Sequence, residues 1–188
     1  MKKAAFLDRD GVINRKAPEG QYVTDWEKME FLPDVREAVR LLNRAGFFVV
    51  VVSNQRCVAK GLITTAELDS LHARMRDEFA AAGARIDAIY YCPHEVLPPC
   101  TCRKPQPGLL LDAARKHELD MATSWMIGDS RKDIEAGRTA GCRTVQLAQD
   151  GKSMEDGADV VASSLLEAAH RILEIDADRA PVSLPGIA

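Results

Sequence analysis

Residues 47–52 read Phe-Phe-Val-Val-Val-Val, six consecutive aromatic or β-branched side chains with no polar face. A strand with one wet side alternates apolar and polar residues. A run that is apolar on both sides demands cover on both sides, the condition of a central strand in a parallel sheet sandwiched between helices. The rest of the chain supplies such partners. Ala4–Leu7 is a short apolar run that stops in the polar turn Asp8-Arg9-Asp10-Gly11. Ile86–Tyr91, Ser124–Ile127 and Arg143–Leu147 read as further strands, with Asp159–Val161 as an edge strand. Helices alternate with them. One starts at Pro33-Asp34, repeats Val35, Ala38, Val39, Leu41 and Leu42 at helical spacing, and closes at Ala45-Gly46. The next opens at Thr64, where Glu67 three residues on completes a capping box, and carries an inner stripe of Leu68, Leu71, Met75 and Phe79. Pro107–His117, Lys132–Ala140 and Ser164 to about Leu173 complete the set. The expected fold is α/β, a doubly wound parallel sheet, as one domain over residues 1–175, with a loosely attached, flexible tail from Asp176 to Ala188.

At 188 residues, 46% hydrophobic and 28% charged, the chain is long enough for one core that buries roughly two-thirds of the unfolded surface. A net charge of −3 lacks the basic footprint of a nucleic-acid binder. A charge at Asp8 comes too early for a signal-peptide core, and no apolar run approaches the ~20 residues of a membrane span. The expectation is a soluble, monomeric cytoplasmic protein that engages neither nucleic acid nor membrane.

Five cysteines in a reducing compartment are poor disulfide material, and an odd number leaves one unpaired. Four chemistry-bearing residues sit together in "CPHEVLPPCTC": Cys92, His94, Cys100 and Cys102. Three thiolates and an imidazole suit tetrahedral Zn²⁺ with no place left for water, which reads as a structural zinc loop. The alternative is a set of buried cysteines beside an incidental histidine. Cys57 reads as inert, and His72, His117 and His170, in helices without motif partners, read as surface or boundary residues.

In doubly wound sheets ligands sit beyond the carboxyl ends of the strands. Those ends carry Asp8-Arg9-Asp10-Gly11, then Ser53-Asn54-Gln55, then the Cys/His cluster with Arg103-Lys104-Pro105, then Gly128-Asp129-Ser130-Arg131-Lys132-Asp133. Carboxylates, a hydroxyl and a lysine thus converge on one rim. Carboxylates gathered in this way suit a hard divalent cation, which takes oxygen ligands.

The four segments, in type, order and strand position, resemble the haloacid-dehalogenase-like (HAD) phosphatase superfamily. Within it "FLDRDGVIN", "VVVVSNQ", "YYCPH…CTCRKPQPGLL" and "MIGDS" resemble the D,D-heptose 1,7-bisphosphate phosphatases, over about residues 4–172, with histidinol phosphatases as near relatives. The resemblance implies a Rossmann-like HAD fold without a cap domain, and there is no room for one between Asp10 and Ser53. It implies Mg²⁺ held by Asp8, the Asp10 carbonyl and Asp129, with Asp133 in support. Asp8 would be the nucleophile that forms an aspartyl-phosphate. Asp10 would be the acid and base, a role that predicts a raised pKa. Ser53, the Asn54 backbone N–H and Lys104 would hold the phosphoryl group. Arg9, Glu19, Gly20, Gln21, Tyr22, Gln55, Arg56, Arg103 and Ser130 would line or contact a sugar bisphosphate, with Arg103 the candidate for its second phosphate. Two departures stand out: Arg56-Cys57 replaces a Ser-Gly pair, and Ser130 replaces a lysine common in relatives. The implied role is removal of the 7-phosphate in heptose-nucleotide and lipopolysaccharide core precursor synthesis. Histidinol-phosphate hydrolysis is the alternative. A phosphoacceptor receiver domain is a third reading, but it needs an acceptor aspartate after the third strand, where this chain has Tyr90-Tyr91-Cys92-Pro93-His94.

Overall fold

A computed structural model describes residues 1–148 and 157–178. Six parallel strands form one sheet: β1 (Ala4–Leu7), β2 (Phe48–Asn54), β3 (Ala88–Cys92), β4 (Trp125–Gly128), β5 (Arg143–Leu147) and β6 (Val160–Ala162), in the order β3-β2-β1-β4-β5-β6. Five helices cover it: α1 (Val35–Arg44), α2 (Thr65–Ala81), α3 (Gly108–His117), α4 (Arg131–Ala140) and α5 (Leu165–Asp178).

The apolar runs explain the layering. In β1, Ala5 and Leu7 face a core shared with Val35, Val39, Leu42, Met75, Phe79, Leu165 and Ile172, on α1, α2 and α5. Ala4 and Phe6 face the opposite core, with Leu109, Leu110 and Ala113 of α3 and Ala136 and Ala140 of α4. Side chains that alternate in direction are therefore apolar on both faces, and residues 49–52 of β2 are fully buried. The doubly wound parallel sheet expected from the sequence is present.

Boundaries follow local chemistry. The Thr64 hydroxyl accepts from the Glu67 N–H and the Glu67 carboxylate accepts from the Thr64 N–H. The chain leaves α1 through Gly46 at φ +83°, a left-handed turn that glycine adopts without a Cβ penalty. One boundary corrects the sequence reading: α5 continues to Asp178, beyond Leu173 and into the segment expected to be a loose tail. Asp176 bridges Lys3 Nζ at 2.9 Å and Arg143 Nη2 at 3.0 Å, which pins the last helical turn to the body. The rest of that expected tail, residues 179–188, lies outside the described residues.

The strand order changes direction at β1. The chain winds outward from β1 through β2 to β3, then returns to β4 on the other side of β1. The crevice beyond the carboxyl ends of β1 and β4 is thus the switch point where such sheets bind ligands. Between β1 and α1 the described chain forms loops and one 3₁₀ turn, Trp26–Lys28, and no inserted domain.

Candidate active site and metal centres

A cavity of about 540 Å³ opens at that switch point. Asp8, Asp10, Ser53, Asn54, Arg103, Lys104, Asp129 and Ser130 line it, with Glu19, Gly20, Gln21 and Tyr22 on the loop before α1. Residues separated by more than a hundred positions meet here because the segments that follow β1, β2, β3 and β4 gather at the same sheet edge.

Asp8 follows β1, its N–H donating to the Ile127 carbonyl of β4 at 3.0 Å. Its Oδ1 lies 2.8 Å from Lys104 Nζ, which also contacts Asp133 Oδ1 at 2.6 Å and donates to the Val52 carbonyl at 2.7 Å. Lys104 is only 3% exposed. Burial alone would lower its pKa, but Asp133 and Asp8 outweigh that and hold it protonated. Burial pushes the Asp8 carboxyl up to about 7, reinforced by Asp133 and Asp10 and resisted by Lys104. Two more contacts seat the lysine: the Asn54 amide donates to the Lys104 carbonyl and accepts from its N–H, both at 3.0 Å.

Asp129 ends β4 and faces Asp8. Oxygens of Asp8, Asp129 and Asp133 lie within 4.8 Å of one another. Asp129 Oδ1 is buried with no partner among the described residues, while Oδ2 accepts from Lys16 Nζ at 2.8 Å. Burial raises the Asp129 pKa against the pull of Lys16. Clustered carboxylates with an orphaned oxygen fit a hard divalent cation. Gly11 makes the approach feasible: at φ +94°, a Cβ there would stand 2.2 Å from Asp129 Oδ2. Asp133 spends Oδ1 on Lys104 and Oδ2 on the Ser130 N–H (3.1 Å) and hydroxyl (2.6 Å). It serves the cluster from behind and caps α4.

Asp10 differs from expectation. A raised pKa is predicted for an acid, yet here it is lowered: burial pushes it up, but Arg9 together with hydrogen bonds from Asn14, Arg9 and Gln55 overrides burial. Asn14 Nδ2 donates to Oδ1 at 2.9 Å and Gln55 Nε2 to Oδ2 at 3.0 Å. The resting site holds Asp10 ionised.

Three residues expected at the substrate are placed elsewhere. Arg9 is 0% exposed, its guanidinium taken by Asp10, His72 and the Val23 carbonyl. Gln55 is equally buried and donates to Asp10 and, at 2.7 Å, to Ser53 Oγ. Because Gln55 is the donor, the Ser53 hydroxyl keeps its own proton for the cavity. Arg56 pairs with Glu95 of the Cys/His loop, off the cavity wall.

Asn14, Lys16 and His72 are residues that sequence reading misses. Asn14 lies in the quoted "DRDGVIN", four positions after Asp10, and the turn carries it back, with the Gly11 N–H donating to the Asn14 carbonyl at 2.8 Å. His72, expected near the surface, is 4% exposed and contacts Arg9. It lies one position after Leu71 of the inner stripe, a spacing that could have revealed its burial.

The Cys/His loop follows β3. Cys92 Sγ lies 3.6 Å from both His94 Nδ1 and Cys100 Sγ, Cys102 Sγ 3.4 Å from Cys100 Sγ and 3.2 Å from His94 Nδ1. A zinc tetrahedron with bonds of 2.0–2.3 Å has edges of roughly 3.5–3.8 Å, whereas a disulfide needs about 2.05 Å. All three cysteines are free thiols, and the four atoms could hold zinc. The thiols perturb one another. Burial is outweighed at Cys100, brought down to about 6 by hydrogen bonds with Cys102 and Cys92, while burial, Cys92 and Cys100 push Cys102 up to about 12. The loop reaches the cavity through Arg103, whose Nη1 donates to the His94 carbonyl at 3.3 Å.

Comparison with known proteins shows the family. Residues 101–174 match a family model described as HAD-hydrolase-like. A D-glycero-beta-D-manno-heptose-1,7-bisphosphate 7-phosphatase of Rhodopseudomonas palustris is 42% identical over 147 residues, 74% of this chain and 80% of that protein. The protein of the same name from Vibrio cholerae is 39% identical over 93% of this chain and 98% of its own length. Among solved structures, a D,D-heptose 1,7-bisphosphate phosphatase from B. bronchiseptica complexed with magnesium and phosphate superposes with a TM-score of 0.82 at 33% identity, covering 92% of this chain and 99% of that one. The chain belongs to the heptose 1,7-bisphosphate phosphatase family of HAD-like hydrolases.

Proposed function

We propose that this chain removes the 7-phosphate of D-glycero-D-manno-heptose 1,7-bisphosphate, a step toward heptose nucleotides and lipopolysaccharide core. The observation that carries the reading is the Asp8–Lys104–Asp133 cluster facing Asp129 at the switch point, in a chain whose relatives bear that activity in their names. Asp8, Asp129 and the Asp10 carbonyl would hold Mg²⁺, which supplies charge neutralisation between carboxylate and phosphate. Cys92, His94, Cys100 and Cys102 would hold a structural zinc.

Asp8 Oδ attacks phosphorus, an Asp8–phosphorus bond forms, and the bond to the sugar oxygen breaks. Asp10 gives that oxygen its proton. Water then attacks the aspartyl-phosphate, Asp10 takes the water's proton, and Asp8 is released with orthophosphate. Asp10 is ionised at rest, so its acid form must arise in the complex, where the arriving phosphate charge opposes Arg9 and raises its proton affinity. The Ser53 hydroxyl donates to a transferring oxygen, and the fixed positive charge of Lys104 stabilises Asp8 and the phosphoryl group. Arg103, with Glu19–Tyr22, contacts the sugar and its second phosphate.

The test is kcat/KM with Mg²⁺ on heptose 1,7-bisphosphate, histidinol phosphate and common sugar monophosphates. The bisphosphate should lead by at least about 10²-fold, the scale of a well-made polar contact network. A lead for histidinol phosphate would replace this substrate assignment, and the absence of turnover on every ester would remove the enzymatic reading.

A further inference from the structure

We propose that His72 is a positioning residue for Asp10, acting through Arg9: its Nε2 accepts from Arg9 Nη1 and thereby fixes which edge of the guanidinium faces the Asp10 carboxylate. The inference rests on Asp10 being the acid and base of the reaction. Arg9 Nη2 lies 3.0 Å from both Asp10 oxygens and Nε 3.3 Å from Oδ1. Nη2 also donates to the Val23 carbonyl at 3.4 Å, and Nη1 meets His72 Nε2 at 3.2 Å. An arginine guanidinium can offer a carboxylate either of two paired N–H edges and has a long flexible stem, so a bidentate pair with one carboxylate does not by itself fix its orientation. The contact to His72 does. Both groups are buried, at 0% and 4% exposure, where a hydrogen bond is worth more and an unmet donor costs more.

The imidazole suits this task better than other acceptors. A carboxylate at this place would form the stronger charge-assisted pair and draw Arg9 away from Asp10. A neutral imidazole anchors the guanidinium without competing for it. Burial, then the Arg9 charge, lowers the His72 pKa to about 3, so the ring is neutral at physiological pH. Its acceptor is Nε2, which puts the ring proton on Nδ1, an atom with no partner among the described residues. The ring itself is held. It lies on α2 between Leu71 and Met75 of the inner stripe, with its centroid 5.5 Å from that of Tyr91.

Leaving-group dependence separates positioning from mere packing. An alkoxide leaves only with a proton from Asp10, whereas an aryl oxide leaves without one. kcat/KM counts steps only through departure of the leaving group, before hydrolysis of the aspartyl-phosphate, in which Asp10 serves every substrate alike. His72→Phe fills the space but offers no acceptor. It should lower kcat/KM on heptose 1,7-bisphosphate by about tenfold, a fraction of the 10²–10⁴ contributed by positioned proton transfer, and on an aryl phosphate by less than about threefold. His72→Gln, whose Oε1 accepts, should recover most of the loss. Equal losses on both substrates, no loss, or a Gln variant as impaired as the Phe variant would overturn the inference. Asp10→Asn is the control: if it lacks the same leaving-group selectivity, the acid assignment itself fails and takes this inference with it. Should the Phe variant not fold, the ring nitrogen NMR shifts of the parent decide. Unprotonated Nε2 at neutral pH is expected, and a protonated Nε2 overturns the contact.

Discussion

Arg9, Asn14 and Gln55 all donate to Asp10, and these donors invert the acidity that its role predicts. That an aspartate stands two positions after Asp8 is legible in the sequence. Its resting charge is not, because that depends on side chains 4 and 45 positions away and on which way the neighbouring Arg9 side chain turns. Arg9 and Gln55 read as substrate contacts for the same reason: proximity to Asp8 and Ser53 along the chain says nothing about which way a side chain turns. Two predictions belong at this scale. Lys104→Met removes the cation between Asp8 and Asp133 while keeping the stem. Metal-free protein should lose roughly 3 kcal/mol by urea unfolding, and turnover should fall by at least about 10²-fold; unchanged values would remove Lys104 from the site. His72 titrates at about 3 in the folded chain and about 6.5 unfolded. The unfolded state therefore binds the extra proton first. This contribution is complete above pH 6.5 and shrinks as pH falls toward 3. At pH 5 the parent should have lost about 2 kcal/mol relative to pH 7 from this group, a loss that His72→Gln escapes. Parallel pH profiles for the two proteins would contradict a buried neutral ring.

Elements were legible where their signals are local. The Thr64–Glu67 capping box and the Leu68, Leu71, Met75, Phe79 stripe specify α2 without help from the rest of the chain. The end of α5 is different, since Asp176 is held by Lys3, 173 positions away, a contact that no local pattern encodes. The Cys/His loop combines both cases. Its ligand set is plain in the sequence, whereas its connections to the site are tertiary: the Gln55 N–H donates to the Cys92 carbonyl at 2.8 Å, the Ala59 N–H to the Pro93 carbonyl at 3.1 Å, and Arg103 to the His94 carbonyl. A metal that ties this loop thereby steadies Gln55, Arg103 and Lys104. Purified protein should contain about one zinc per chain. Its removal by a strong chelator, with Mg²⁺ restored, should speed amide hydrogen exchange across residues 93–103 and lower kcat/KM. Absence of zinc by metal analysis, or exchange indifferent to chelation, would contradict a structural metal.

Across the whole molecule, the parallel sheet followed from apolar runs covered on two faces, but the order β3-β2-β1-β4-β5-β6 did not, because periodicity gives faces and not neighbours. That order puts β1 beside β4 and so brings Asp8 against Asp129, and it is the step that turns scattered strand ends into one acidic cleft. The central claim is that Asp8 carries the phosphoryl group in transit. Its most direct test is to mix the enzyme, Mg²⁺ and heptose 1,7-bisphosphate, quench in acid within the first turnover, and map the digest by mass spectrometry. A single added phosphoryl group on the Asp8 side chain is predicted, absent from Asp8→Asn. A quenched enzyme that has released phosphate yet carries no such group, or carries it on another residue, would contradict the account.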